Sequence, residues 1–485
     1  MELSNGKVTP SDANGNVEKK SQNEEKTDWR AVYIASLIAF LGAIENTIVG
    51  ISEMAYMTTI DPLTTTQFFG VATSISKGGH AVFCLVFAIW AHKTRSVRVP
   101  LIFGRLLAFS ACVLYIFVEF LPYGRRYLMG FCYLLFAIAS SSSIILRAYI
   151  VQVSSHNDRL RACSGFAAAQ LLSIVAGPIC QLIFAWIKYP GYSLLPNIHF
   201  HIYSAPVWVA ASSNFISIAI IVYCLHEVMQ KKNKLKKSDD DSFYSLQSLA
   251  TKIREVRQKD LPWALIFLCW IEKMLSSLTL VSLQTLTTPL LMTSFGWDGN
   301  FTVQVLSGAM LLVGILAILI AAAFAAFKSV TKIPQRYLLL SSLVMFLLLY
   351  FLTYPYPIVS STIPEYNATT KGGCNTAEYS WCEGAGTTSP WLFLPIIIGI
   401  MGIAFPLAMI ALDTIYSKVL GKINQSVMQG AFIVADDVMQ VCGPVYTTSI
   451  YTGWGQPVVW LWNGSLTFAG ICLLIFSFNG LKKYQ

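Results

Sequence analysis

Charge is what this chain has least of. Asp, Glu, Lys and Arg make up 12% of its 485 residues, about half the share of an ordinary soluble domain. With 55% hydrophobic residues, the chain reads as an integral membrane protein. Further absences narrow the class. The first 28 residues hold no apolar core, so no cleavable signal peptide is expected and the first apolar run must itself direct insertion. Barrel-type alternation is missing, which leaves helices as the spanning elements. No Gly-rich, Lys-ended phosphate loop occurs, so ATP is not expected to drive the protein through its own sequence. The 11 cysteines are mostly scattered singly along apolar runs without zinc-type spacing. No nucleophile, base and orienting group stand out together. Neither an enzyme, a metal nor a cofactor is expected. The net charge of +9 is spread among short loops, which argues against nucleic acid as a partner.

What is present is a series of apolar runs long enough to cross a bilayer. Twelve spans are predicted, at 30–54, 67–91, 98–121, 126–151, 162–187, 206–226, 262–291, 300–327, 336–354, 390–416, 427–451 and 457–480. An even number puts both termini on one side. Of the 34 Lys and Arg residues, 26 fall on that side, and only Arg125, Arg126, Lys188 and Lys371 on the other. The positive-inside rule then makes both termini cytosolic.

The expected organisation is a cytosolic tail (1–29), six helices (30–227), a basic cytosolic linker (228–261), six further helices (262–480) with a large outer loop (355–389), and a short tail (481–485). The basic runs of the linker suit either anionic lipid head groups or a solvated tether that enforces topology. The outer loop carries the glycosylation acceptor Asn367-Ala368-Thr369 and two cysteines, Cys374 and Cys382, whose spacing does not decide whether they pair.

Two acids side by side in an apolar run, Asp436 and Asp437 in span 11, need a reason. Near the bilayer centre a carboxylate costs about 2.5–3.5 kcal/mol on insertion scales, so it normally faces a partner or a water-filled path. Gly443-Pro444 follows seven residues after Asp436, and an equivalent Gly177-Pro178 closes a similar stretch in span 5. Aligned on Gly-Pro, Gln170 falls opposite Asp436 and Leu171 opposite Asp437, so the chain reads as two related halves.

Twelve helices in two halves resemble the major facilitator superfamily. AIWAHKTRSVR from Ala88 to Arg98 is similar to that superfamily's short basic loop, with His92 in place of its Asp and with Lys93, Arg95 and Arg98 keeping the positive charge. RYLMG from Arg126 and AGP at Ala176 to Pro178 are similar to two more of its segments. A narrower resemblance, to the lysosomal, ceroid lipofuscinosis-type domain-containing protein 8 family, rests on several segments. They are YSKVLG from Tyr416, Gln429-Gly430, CGPVY from Cys442, LRAY from Leu146, IEN from Ile44 and TTPL from Thr287. The chain departs from that family at Gln284, where an acid is usual, and at Asp436 and Asp437, where small neutral residues are usual.

The resemblance implies two six-helix bundles moving a small solute or ion by alternating access in a lysosomal or endosomal membrane. Monomers are expected. The plasma membrane stays open, because Tyr244-Ser245-Leu246-Gln247 ends in a polar residue and makes no sorting signal. It also implies that spans 1, 2, 4, 5, 7, 8, 10 and 11 line the cavity. Most of the charged span residues singled out fall there: Glu45, Lys77, His80, Arg147, Glu272, Lys273, Asp413, Asp436 and Asp437.

Each has two readings. Glu45 is either a proton carrier or a structural partner for Arg147 or Lys77. Arg147 faces an anion or sits in a permanent ion pair. His80 titrates, or is a neutral hydrogen-bonded ring. Glu272 and Lys273 point about 100° apart, and Lys273 can reach toward head groups. Gln284 offers a polar cavity contact, and Asp413 suits a gate or helix end. Asp436 shares a face with Gly443 and so with whatever packs there, which leaves Asp437 for the cavity. Arg105 and Glu119, near the two ends of span 3, are expected to snorkel to the interface. A passive anion conductance and a non-transporting sensor remain as alternatives.

Overall fold

A computed structural model of the chain describes residues 27–94, 96–154, 158–196, 198–225, 262–326, 333–357, 360–367, 371–420 and 426–484. The linker, most of the first tail and Arg95 lie outside the described residues.

The first half comprises α1 (Trp29–Ile60), α2 (Thr66–Thr94), α3 (Arg98–Ile116), α4 (Arg125–Ser141), α5 (Ser143–Val153), α6 (Arg159–Ile183) and α7 (Ala205–Tyr223). Between α6 and α7 lies a small antiparallel hairpin, β1 (Tyr192–Leu195) and β2 (Ile198–Phe200). The second half comprises α8 (Trp263–Ser294), α9 (Gly299–Ala326), α10 (Gln335–Leu352), α11 (Pro390–Leu420) and α12 (Ser426–Phe476), then a final turn, α13 (Phe478–Leu481). A two-stranded ladder, β3 (Ser361–Thr362) with β4 (Gly386–Thr387), lies in the large loop before α11.

Two departures from the expected spans have local causes. Span 4 is broken at Ser142, within a run of four serines from Ser140 to Ser143. The hydroxyls of Ser140 and Ser141 donate back to the carbonyls of Ala137 and Ile138, which competes with regular helix bonding. Spans 11 and 12 run together in α12, whose 51 residues would extend about 75 Å as one helix, far beyond a hydrocarbon core of ~30 Å. Gly455, at φ 77°, breaks it into two crossings. A side chain there would run into the Trp381 ring, whose nearest atom is 2.8 Å from an ideal Cβ.

The two halves repeat one packing scheme. In the first, α1 packs on α6 and α7, and α3 on α4 and α7; in the second, α8 packs on α12 and α11, and α10 on α11 and α12. The Gly-Pro repeat marks equivalent close approaches. A Cβ on Gly177 of α6 would sit 2.3 Å from Thr47 Oγ1 of α1, and one on Gly443 of α12 would sit 2.8 Å from Val281 Cγ1 of α8. Between the halves, α2 lies against α12 and α6 against α9. Gly70 faces Thr448 and Gly314 faces Val175 along these two seams.

One end of the bundle carries the described chain ends, Thr27 and Tyr484, and the other carries the loop between α10 and α11; we call these the tail end and the loop end. At the loop end a single apolar cluster joins Met54, Ala55 and Tyr56 of α1 to Met292 of α8 and to Val303 and Leu306 of α9. At the tail end the cluster around Ile38, Phe87, Leu146 and Tyr149 stays within the first half. The cluster of the second half contains no residue of the first.

Candidate functional site: a charged cleft between the halves

At the loop end the halves are also tied by hydrogen bonds. Glu378 Oε1 accepts the backbone N–H of Thr66 at 3.0 Å, and the Tyr379 and Thr66 hydroxyls lie 2.5 Å apart. Lys371 Nζ donates to the Thr59 carbonyl at 2.5 Å, Tyr189 N–H to Asn300 Oδ1 at 3.1 Å, and Gln304 Nε2 to the Ala185 carbonyl at 2.5 Å. An acid thus caps the start of α2 and a base the end of α1, each at the helix terminus whose dipole it suits. Burial raises the Glu378 carboxyl above its ordinary range, more than its bonds from Thr66 and Tyr379 lower it, and pushes the Lys371 ammonium down. Cys374 and Cys382, left open by the sequence, are bonded to each other and bracket Glu378 and Tyr379. Arg126 holds the same α1–α2 turn from the side of α4, donating its backbone N–H to Asp61 and its guanidinium to the Leu63 carbonyl. Among the described residues, every hydrogen bond found between the halves lies at this end.

Toward the tail end the cleft between the halves is lined by charges. Lys77 and His80 project from α2. The His80 ring is held by its Nδ1, 3.1 Å from both the Ala137 carbonyl and Ser140 Oγ of α4. Arg147, exposed on α5, donates to Gln170 Oε1 of α6 at 3.2 Å and meets no carboxylate among the described residues. From the second half, Asp436 accepts from Ser277 of α8, the helix against which Gly443 packs. Asp437, one residue on, makes no hydrogen bond with any described residue. Its charge is felt by His80 across the cleft and by Lys273, while that of Asp436 is felt by Lys273, Asp413 and Lys77. Gln284 of α8 and Asp413 of α11 are exposed.

Several expected pathway residues are elsewhere. Glu45 is 2% exposed and turned into the first half, where it accepts from Asn214 of α7. Asn214 Oδ1 in turn accepts from Arg105 Nη1 of α3 at 3.3 Å. Glu45 therefore partners neither Arg147 nor Lys77, and Arg105, itself 2% exposed, does not snorkel. Gly42 makes room for it: a Cβ there would lie 2.1 Å from Arg105 Nη1.

Glu272 of α8 is likewise turned into its own half. It is wholly buried, facing Gly470 of α12, with both carboxyl oxygens unpartnered among the described residues. Lys273 does not reach toward head groups. It is buried beside Met409 Sδ at 2.9 Å, with its ammonium 5.5 Å from the Phe432 ring centre.

Glu119 does not snorkel either. It accepts from Tyr56 Oη at 3.1 Å and lies 2.6 Å from His199 Nδ1 and 3.3 Å from His201 Nε2. The backbone N–H groups of Tyr203 and Ser204 donate to His201 Nδ1, so the ring carries its proton on Nε2; burial holds His201 below the ordinary histidine range.

Of the basic-loop residues, Lys93 is exposed at the end of α2, and Arg98 Nε donates to the Leu225 carbonyl at 2.6 Å, tying α3 to α7. One cleft residue escaped the sequence reading. Glu53 is half-buried on α1, within electrostatic reach of Lys77. It lies beside the expected end of span 1, where a carboxylate reads as an interfacial residue, but α1 continues to Ile60. Among the described residues no three His, Cys, Asp or Glu side chains stand close enough together to hold a metal ion.

Residues 28–366 match the sequence profile of the Major Facilitator Superfamily. Over 481 residues the chain is 21% identical to the major facilitator superfamily domain-containing protein 8 of Xenopus laevis, covering 94% of this chain and 92% of that one. Among solved structures, the nucleoside transporter NupG superposes with a TM-score of 0.62 at 14% identity, over 92% of this chain and 100% of that one. A bacterial homologue of the human lysosomal transporter Spinster, in an inward-facing and occupied conformation, superposes with a TM-score of 0.57 at 11% identity, over 93% and 95%. These similarities and the paired bundles agree: the chain is a multi-pass membrane protein of the Major Facilitator Superfamily.

Proposed function

We propose that the protein moves a small solute across its membrane by alternating access, driven by protons, with both termini cytosolic and the loop end facing the lumen of an endosome or lysosome. The observation that carries this reading is the cleft itself. Lys77, Arg147 and Asp437 face a gap between halves whose hydrogen bonds to each other, among the described residues, lie at the loop end. Charges left unpaired in a membrane protein need water or a solute as partner, and the tail end is where both reach them. Closing that end while the loop end parts would carry a solute bound at the midplane from one side to the other.

Asp437 is the proton carrier in this reading, because it has no hydrogen-bond partner among the described residues and stands where His80 and Lys273 sense its charge. Asp436, which accepts from Ser277, stands beside it. Gly177-Pro178 and Gly443-Pro444 provide equivalent loosened points in the two halves for the rocking motion. Asn367, exposed on the loop, would carry a glycan if the loop end is lumenal, and the basic linker would meet anionic lipid on the other side.

A passive anion conductance is the second reading, favoured by Lys77 and Arg147, neither of which is ion-paired to a carboxylate among the described residues. Reconstituted protein separates the two. Saturable flux that follows a pH gradient, and loses its pH dependence in Asp437→Asn while the variant still reaches the membrane, supports the transporter. An ohmic anion current indifferent to that substitution overturns it.

A further inference from the structure

The charges of the cleft are sorted by half. On the wall formed by α2 and α5 stand Lys77 and Arg147, with His80 beside them; both cations are exposed and neither pairs with a described carboxylate. On the wall formed by α11 and α12 stand Asp413, Asp436 and Asp437. Each wall also has one residue of the opposite sign, within electrostatic reach of that wall's own charges. Glu53 is half-buried on α1, toward the loop end. Lys273 is 7% exposed, packed behind Met409 and Phe432. Lys77 and Arg147 outnumber Glu53 on the first half, and Asp413, Asp436 and Asp437 outnumber Lys273 on the second, so the gap is net positive on the first half and net negative on the second.

The two sets sense each other, His80 with Asp437 and Lys77 with Asp436, without forming ion pairs among the described residues. In the repeat, Gln170 stands where the second half has Asp436. The neutral amide leaves Arg147 without a carboxylate at that position, while the second half has one more acid.

We propose that the site takes a bipolar solute, one bearing an anionic group and an ammonium-type cation, with its anionic end on Lys77 and Arg147 and its cationic end on Asp436 and Asp437. The proposal rests on the transport reading above for its location but not for its chemistry. A solute with both charges satisfies both walls at once. A simple anion leaves the acidic wall unpaired, and a simple cation leaves the basic wall unpaired, when the cleft closes and water leaves. The anionic group can be a carboxylate or a phosphate, as guanidinium and ammonium donate to the oxygens of either.

The test uses the full-length protein, purified in detergent for binding and in liposomes for uptake. One probe set shares a four-carbon length: 4-aminobutyrate, butyrate, butylammonium and butyramide. A second carries phosphate: glycerophosphocholine, glycerol 3-phosphate and choline. The expected result is that a bipolar member of at least one set binds at least tenfold more tightly than its anionic and cationic halves, read as stabilisation against heat. The set that succeeds identifies the anionic group.

Lys77→Gln should lower affinity for the bipolar probe to that of the cation alone, and Asp437→Asn to that of the anion alone. Lys77→Arg and Asp437→Glu should retain most of the binding, which separates loss of charge from loss of fold. The proposal is overturned if the anionic probe binds as tightly as the bipolar one, if Asp437→Asn leaves the preference unchanged, or if no bipolar probe binds. Bipolar binding with no uptake would overturn the transport reading and leave this one standing. Saturable uptake of a solute of single charge or none would do the reverse.

Discussion

Glu378 Oε1 accepts the backbone N–H of Thr66 at 3.0 Å, so an acid from the loop of the second half caps the first turn of a helix in the first. With Lys371 on the Thr59 carbonyl, it fastens both ends of the α1–α2 turn. The sign of its pH dependence follows from its raised carboxyl. In the fastened state burial makes the proton bind more tightly than in a parted, exposed state. Acid on the loop side therefore favours fastening, fully below the ordinary carboxylate value, and this contribution fades as pH rises through the raised one. Fluorescence or spin-label distances across the loop end should shorten on acidification in wild type. In Glu378→Gln, which keeps the acceptor but not the titration, that pH dependence should be lost.

The buried chain Arg105–Asn214–Glu45 ties α3, α7 and α1 and stands apart from the cleft. Asn214→Leu should lower the thermal midpoint markedly, since it leaves two buried charged groups without their bridge, a loss on the order of 3–5 kcal/mol. Replacing both charges by apolar residues, Glu45→Leu with Arg105→Met, should recover much of that stability. Glu45→Gln should leave the pH dependence of flux unchanged, in contrast to Asp437→Asn. Thermal melts of the three variants check the structural part, and proteoliposome flux checks the last.

The two Gly-Pro sites should differ in tolerance. A methyl on Gly177 meets Thr47 Oγ1 at 2.3 Å and the Thr47 backbone carbon at 3.1 Å, whereas one on Gly443 meets the end of the Val281 side chain at 2.8 Å. A side chain can turn aside more readily than backbone. Overpacking a helix contact costs about 1–3 kcal/mol, so Gly177→Ala should fall toward the upper part of that range and Gly443→Ala toward the lower. Melting of the two variants side by side decides it.

The membrane helices were legible because an apolar run of given length has few alternatives in a bilayer. The Gly-Pro repeat disclosed the relation between the halves for a similar reason, since close helix packing demands small residues. The partners of the charged residues were less legible. A carboxylate in a span announces only that it needs a partner, and Glu45 finds Asn214, a neutral residue 169 positions away on a helix expected to be peripheral. Arg105 and Glu119 were assigned to the interface by their nearness to span ends, yet Asn214 in one case and the 192–200 hairpin in the other bring polar groups to them. Neither could be foreseen from spacing. Glu53 was lost to a boundary: the apolar pattern thins out near residue 54, while packing of Tyr56, Met57 and Ile60 carries the helix further.

The account depends on two halves that pivot, parting at one end as they close at the other. Spin labels at Leu63 and Thr376 report the loop end, and labels at Gln152 and Lys418 report the tail end. Distances between each pair, measured in liposomes before and after the loop-end ties are removed by Glu378→Ala with the Cys374–Cys382 bond reduced, test the pivot directly. The account predicts reciprocal change: the Leu63–Thr376 distance lengthens while the Gln152–Lys418 distance shortens. A loop-end distance that lengthens with the tail-end distance unmoved would contradict it.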